Sequence, residues 1–310
     1  MMEHRALGSS ELQVSALALG SWRTYERIPQ EQGLEVMGAA QELGIDFLDD
    51  ARYDDETGAA PIPTGYSEVV FGELFRAAAW KRDEVVVANK LWFEFWPEQS
   101  FAEELDASLG RMRLDHVDLI YATWPPEGLG AEEIVDGVAG LIATGKSRAW
   151  GTVNWTPALL REATEVADAR GVPRPCCAQL PYSLVSRSWV EGADEAAALA
   201  GSGSTVVASA VLAGGALTGK YAEPGAAGRM TDRLDEPSVR EALALGPALR
   251  ELSERYDTTP AALALAFALG GERVASVLFG ATRPEQVREN ARALEVPPEA
   301  LAELRALASG

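Results

Sequence analysis

The chain has 310 residues, 47% of them hydrophobic and 24% charged, with a formal net charge of -20. That length suits one α/β barrel, and the composition suits a globular enzyme with a sizeable core. The acidic surface repels nucleic acid and anionic membranes, and no apolar run approaches the roughly 20 residues a membrane-spanning helix needs.

Residues 4–12 hold Gly8-Ser9-Ser10 between short apolar stretches and predict a hairpin closing the bottom of a barrel. Residues 14–19 read as the first strand, followed by a helix ending near Leu43. Residues 45–48 make the second strand and 67–79 its helix. Strands at 85–89 and 117–122 flank a helix at 101–112. Helix 132–144 leads to strand 147–153, helix 157–170 to strand 177–180, and helix 189–200 to strand 205–209. Helical segments over 238–268 precede strand 276–279, and a last helix spans 285–294.

Near-continuous Val/Ile/Leu strands are those of a parallel sheet buried on both faces. Eight strand–helix units in order predict an α/β fold, a (β/α)8 TIM barrel, formed by residues 1–310 as one domain. An open doubly wound sheet lacks its signature, because no Gly-x-Gly-x-x-Gly follows the first strand. The N-terminus, Met1-Met2-Glu3-His4-Arg5, carries no apolar stretch before a cleavage site, so a cytoplasmic location is expected.

The only cysteines, Cys176 and Cys177, are adjacent and read as a small buried pair entering a strand. Neighbours in sequence make a poor structural disulfide and a poor metal site. His4 and His116 are the only histidines, which removes most zinc sites and most Ser-His or Cys-His nucleophile schemes. No metal is expected.

In an α/β barrel the chemistry sits where strands end. The second strand ends in Asp49-Asp50-Ala51-Arg52-Tyr53, and the third in Asn89-Lys90. Lysine is scarce, with four in the chain, and Lys90 lies between a buried run and Leu91-Trp92. Asp, Tyr and Lys together make chemical sense. The ammonium stabilises phenolate and lowers the Tyr pKa, the carboxylate holds the ammonium, and Tyr protonates a carbonyl oxygen as hydride reaches carbon. Trp22, Trp92, Trp124 and Trp155 all fall just after strands, which predicts an aromatic-walled mouth. A bulky or aromatic aldehyde or ketone, or a sugar face, suits such a wall. The loop 92–100 and an insertion at 54–64 are expected to shape the entrance.

Gly44-Ile45-Asp46-Phe47-Leu48-Asp49-Asp50-Ala51, Gly65-Tyr66-Ser67-Glu68, Asp115-His116-Val117-Asp118-Leu119, Gly145-Lys146 with Trp150-Gly151-Thr152-Val153-Asn154, Gln179-Leu180-Pro181-Tyr182, Leu217-Thr218-Gly219-Lys220-Tyr221 and Gly280-Ala281-Thr282-Arg283 with Glu289-Asn290 occur in order along nearly the whole chain. The set resembles the aldo-keto reductases. The resemblance implies an eight-stranded barrel, NADP(H) bound without a Rossmann domain, and reduction of a small-molecule carbonyl. The family tetrad is Asp, Tyr, Lys and His. By position Asp49 is the Asp and Lys90 the Lys, with Asp50 at a Thr position. The family places its Tyr where this chain has Asp54, and Tyr53, one residue early, is preferred over Tyr66. Thr123 stands in place of the His, and His116 lies at the other end of that strand. A Thr hydroxyl donates one hydrogen bond but is no acid near neutral pH. Potassium-channel beta subunits, a branch of the family similar to this chain in the cofactor segments, also lack the His.

The same resemblance assigns cofactor contacts. Ser21, Trp22 and Asp49 contact the cofactor, and Gln179 and Asn154 hold its nicotinamide carboxamide. Val153 replaces a Ser, and Ser209 stands near an aromatic stacking position. Leu212, Ala213 and Lys220 take the pyrophosphate. Gly280, Thr282 and Arg283 open the last helix unit, where backbone N–H groups and a guanidinium grip a 2′-phosphate. Gln286, Glu289 and Asn290 share one helix face for adenosine. Two functions follow: an NADPH-dependent carbonyl reductase, or a low-turnover NADP(H)-binding sensor or regulatory subunit. Oligomeric state is left open.

Overall fold

The N-terminal strands β1 (His4–Ala6) and β2 (Gln13–Ser15) pair antiparallel. Beyond them, in a computed structural model that describes residues 2–222 and 231–308, the chain forms β3 (Leu17–Gly20), β4 (Phe47–Asp49), β5 (Val86–Leu91), β6 (Leu119–Ala122), β7 (Ala149–Val153), β8 (Cys177–Pro181), β9 (Thr205–Ser209) and β10 (Val274–Phe279). These eight strands pair in parallel in that order, and β10 closes on β3. The helices are α1 (Gln30–Glu42), α2 (Tyr66–Ala77), α3 (Phe101–Met112), α4 (Ala131–Ala143), α5 (Pro157–Arg170), α6 (Ser188–Glu191), α7 (Ala193–Ser202), α8 (Pro237–Ala244), α9 (Gly246–Arg255), α10 (Pro260–Leu269), α11 (Pro284–Ala291) and α12 (Pro298–Leu307).

Side chains alternate across each strand, so each strand feeds two cores. Phe47, Val86, Ala88, Leu119, Tyr121 and Val207 point into the barrel. Leu48, Val87, Ile120 and Val206 pack outward against the helices. The hairpin closes the bottom: Leu7, Leu12 and Val14 are buried with the inward set. Gly8 sits at φ +51, and a Cβ there would lie 2.1 Å from the Cys176 carbonyl oxygen, so only glycine lets the hairpin press against the start of β8.

Three predicted elements differ. The strand expected over 14–19 divides into β2 and β3 at Ala16. Asp46 Oδ1 accepts from the Ser15 N–H at 3.0 Å, and the Ser15 hydroxyl donates to the Leu17 carbonyl at 2.6 Å, which turns the chain from hairpin into barrel. The helix expected over 189–200 is α6 and α7, broken where Gly192 takes ψ 139. The helix over 285–294 is α11 followed by a 3-10 turn, Arg292–Glu295, and α12 was not foreseen. Pro297-Pro298 reads as a break, yet proline at the first helical position is compatible with starting a helix, and Ala300 and Leu304 bury its inner face.

Candidate active site at the barrel mouth

Two-residue alternation puts Asp49 and Lys90 on the inner face. Phe47 and Asp49 point in from β4, and Ala88 and Lys90 from β5, with Asp49 in register with Ala88. Lys90 Nζ donates to Asp49 Oδ1 at 2.6 Å and to the Tyr53 hydroxyl at 3.1 Å. All three are shielded from solvent to different degrees: Asp49 is 1% and Lys90 5% exposed, and Tyr53 is part-buried. Burial works against the Lys90 charge, but the Asp49 carboxylate and Tyr53 more than offset it, so its pKa is raised and the ammonium persists. For Tyr53 burial is the largest influence and raises the phenol pKa; the Lys90 ammonium pulls it down by less. The lowering expected from the lysine is therefore outweighed by burial, and Tyr53 stays a protonated donor through neutral pH.

Local structure explains how Tyr53 reaches Lys90. Residues 54–64 are pinched off by an antiparallel bridge between Asp54 and Thr64. Gly65 N–H donates to the Tyr53 carbonyl at 2.8 Å, and the Ser67 hydroxyl at the start of α2 donates to the Ala51 carbonyl at 2.7 Å. The insertion thus leaves and returns at one point, without displacing the tyrosine. Trp92 packs edge-on to the Tyr53 ring at 6.0 Å. Arg23 and Arg27 pair with Glu56 in the inserted loop, and Arg52 joins Thr64 to Glu94.

Gln179, from β8, donates through Nε2 to Asp49 Oδ2 at 2.9 Å. Its amide oxygen remains an acceptor on the same side chain. Asn154 follows β7 exposed, at φ +56, with Val153 half-buried before it. Ser209 ends β9, and its carbonyl accepts from Tyr182 N–H at 3.0 Å. After β9, Leu212 leads into Ala213, Gly214 and Gly215, three successive residues at φ +47, +65 and +94. Lys220 folds back over this run: a Cβ on Gly215 would lie 2.8 Å from Lys220 Cε, so glycine admits the lysine. Two of the three N–H groups are spent on backbone carbonyls, Ala213 on Ala210 at 2.9 Å and Gly215 on Leu212 at 2.8 Å, so the Lys220 ammonium is what this turn offers an anion.

Gly280, Thr282 and Arg283 precede α11. Gln286 Oε1 accepts from Thr282 N–H at 2.8 Å, Arg283 N–H at 3.2 Å and the Thr282 hydroxyl at 3.3 Å. On the helix, Glu289 is exposed and Asn290 buried, so that face grades from solvent into the fold.

The sequence pattern of the aldo/keto reductase family matches residues 16–309. The chain belongs to the aldo/keto reductase family. Among its relatives are two proteins described as voltage-gated potassium channel beta subunits. One, from Oryza sativa subsp. japonica, is 29% identical over 96% of this chain and 92% of its own length. The other, from Schizosaccharomyces pombe, is 30% identical over 94% of this chain and 88% of its own. Among the described residues no helix is long and apolar enough to cross a membrane, and no cluster of three His, Cys, Asp or Glu is arranged to hold a metal.

Two further side chains bear on the chemistry of the site. The Thr123 hydroxyl donates to the Leu91 carbonyl at 2.8 Å, so its proton is engaged by the backbone of β5. Asp50 points away from Asp49 and is fully buried: Oδ1 accepts from the Ser21 hydroxyl and Oδ2 has no partner. Burial, then the Glu68 carboxylate, holds its pKa well above the usual carboxylate range, against the Ser21 and Ala51 hydrogen bonds. Glu68 itself accepts from Asn89 and Arg111.

The mouth is asymmetric. Consecutive strands β3 to β6 each release an aromatic residue at their C-terminal ends: Trp22, Tyr53, Trp92 with Phe95, and Trp124. Trp22, Phe95 and Trp124 are 47%, 53% and 55% exposed, large rings not spent on the core. Trp155 does not join them. It is buried, packs on Trp150 at 6.2 Å and donates through Nε1 to the Thr123 carbonyl at 2.6 Å, because the chain turns outward to begin α5. Sequence reasoning missed Phe95, whose exposure depends on the fold of the loop after β5. Glu104 on α3 holds that loop by accepting from Trp92 N–H at 2.7 Å and Phe93 N–H at 3.3 Å.

Proposed function

We propose that the protein is an NADP(H)-dependent carbonyl reductase acting on aldehydes or ketones with a flat, aromatic face. The observation that carries this reading is the hydrogen-bonded set of Asp49, Lys90 and Tyr53 at the C-terminal end of a barrel. Lys220, folded over the turn at 213–215, and exposed Arg283 before α11 offer positive charge to a dinucleotide's phosphates. Ser21, Trp22, Asp49, Val153, Asn154, Gln179 and Ser209 would border its nicotinamide; Leu212, Ala213 and Lys220 its pyrophosphate; Gly280, Thr282, Arg283, Gln286, Glu289 and Asn290 its adenosine phosphate. When bound, it supplies hydride to the substrate carbon.

The protein's own residues supply the rest. The Tyr53 hydroxyl gives its proton to the carbonyl oxygen as negative charge develops there. Lys90, held charged by Asp49, stabilises the phenolate that forms. Gln179 ties Asp49 through Nε2, and its oxygen would be the acceptor for the nicotinamide amide, which would couple cofactor position to the ion pair. Thr123, with its proton committed to Leu91, leaves Tyr53 as the principal donor. Trp92, Phe95 and Trp124 would line the substrate's side of the mouth, and Trp22 with the half formed by β7 to β10 the dinucleotide's.

A second reading, a low-turnover dinucleotide sensor or regulatory subunit, draws on the relatives' descriptions and on Thr123. A single-turnover experiment separates them. Protein loaded with one equivalent of NADPH is mixed with an aromatic aldehyde such as 4-nitrobenzaldehyde, and nicotinamide absorbance is followed. Rapid loss in the unaltered chain, slowed by about 10²–10⁴-fold in Lys90→Met with NADPH binding retained, is the expected result. Bound but unreactive NADPH in the unaltered chain favours the sensor. Equal turnover in Lys90→Met sinks the catalytic assignment.

A further inference from the structure

Beside the α11 N-terminus lies a surface cleft of about 380 Å³ lined by Pro29, Glu31, Gln32, Glu35, Arg283, Pro284 and Glu285. Glu31 and Glu35 are spaced i, i+4 on α1, so they rise on one face of that helix toward the cleft. Gln32 fixes the two elements together, donating through Nε2 to the Thr282 carbonyl at 2.7 Å. All three glutamates and Arg283 are exposed. Among the described residues none of the four has an ion-pair partner, although twenty-two salt bridges occur elsewhere. The cleft therefore carries three carboxylates against one guanidinium. The donors expected to grip a phosphate, Thr282 and Arg283 N–H, are already satisfied by Gln286 Oε1.

Building on the dinucleotide reading above, we propose that Glu31 and Glu35, with Glu285, are specificity-determining residues that oppose the 2′-phosphate. Arg283 attracts that phosphate at short range, but the surrounding carboxylates repel it, and the phosphate must also displace Gln286. NADH, lacking the phosphate, meets neither penalty. The chain thus favours NADPH over NADH far less than Arg283 alone would dictate, and accepts both. The full net charge of -20 also repels NADPH more than NADH, because the 2′-phosphate adds charge, so the contribution of the cleft is read from the substitutions made in it.

The test is binding rather than turnover. Nicotinamide fluorescence gives Kd for NADPH and NADH in the unaltered protein, in Glu31→Gln/Glu35→Gln and in Arg283→Gln. The ratio Kd(NADH)/Kd(NADPH) is expected to rise about five- to tenfold in the double variant at low ionic strength, mainly by tighter NADPH binding. It is expected to fall in Arg283→Gln. In the unaltered chain the ratio should rise with added salt, because screening weakens a net repulsion. A double-variant ratio within twofold of the unaltered one, or a ratio that falls with salt in the unaltered chain, overturns the proposal. NADH binding that persists in all variants keeps the dinucleotide reading intact in that case. Failure of both dinucleotides to bind the unaltered protein overturns both.

Discussion

At the scale of single residues, one buried ion pair organises the site. Removing a charge from water costs several kcal/mol unless it is paired and hydrogen-bonded. Lys90 meets that condition with Asp49 and Tyr53, and Asp49 with Gln179. Asp50 is the opposite case, a carboxyl with one unpartnered oxygen beside Glu68. Its pKa in the fold is raised, so its stabilising contribution is full below the ordinary carboxylate range. That contribution is lost as pH rises through the elevated value. Asp50→Asn keeps an acceptor for Ser21 and removes the titration. We expect it to melt about 2–5 °C above the unaltered chain at pH 8, with the difference vanishing near pH 4. A pH series of thermal melts checks this; equal melting temperatures at pH 8 would mean that Asp50 is tolerated as a carboxylate. Asp49 and Lys90 were legible in the sequence because each lies at the C-terminal end of a short apolar run that reads as a strand. The burial of Asp50 was not, since it depends on α2 covering it.

At the scale of elements, the insertion is an ornament on a fixed frame. Asp54 and Thr64 close its base, Gly65 and Ser67 hold the backbone beside Tyr53, and Arg23, Arg27 and Glu56 tether its body. Replacing residues 56–61 with Asn-Gly should keep Tyr53 in place. If the reductase reading holds, the expected outcome is a kcat within about threefold of the unaltered protein, with KM for bulky aldehydes altered at least as much. A loss of kcat near that of Lys90→Met would show that the insertion itself sets the tyrosine. The one-residue offset of Tyr53 from the family spacing is visible in sequence. Its correction is not, because a strand-like bridge between residues ten apart leaves no local pattern. Trp155 fails for a related reason: following a strand does not fix whether a ring turns to the mouth or to the helix layer.

At the scale of the whole molecule, the barrel's two ends divide the labour. The bottom is sealed by Leu7, Leu12 and Val14, and the top carries the polar site. Leu7 is fully buried, so Leu7→Ala should cost about 2–5 kcal/mol by urea unfolding, with dinucleotide binding of the folded protein unchanged. A change in binding without a change in stability would contradict that division. The cleft beside Arg283 belongs to this scale too, because it joins α1 and α11 from opposite ends of the chain.

The sequence alone determined the eight-fold alternation, the closing hairpin and the strand-end identities of Asp49, Lys90 and Thr123. Those features are periodic or local: short apolar runs alternate with amphipathic helices, and the polar residue after a run marks the strand's end. Only the tertiary structure decided which neighbours those residues meet. It gave Gln179 to Asp49, committed the Thr123 hydroxyl to Leu91, spent Gln286 on the N–H groups before α11 and ringed Arg283 with carboxylates. Each is a contact between segments distant in sequence or a choice among rotamers, and hydrogen bonds and charges are settled by distance in space rather than by order along the chain.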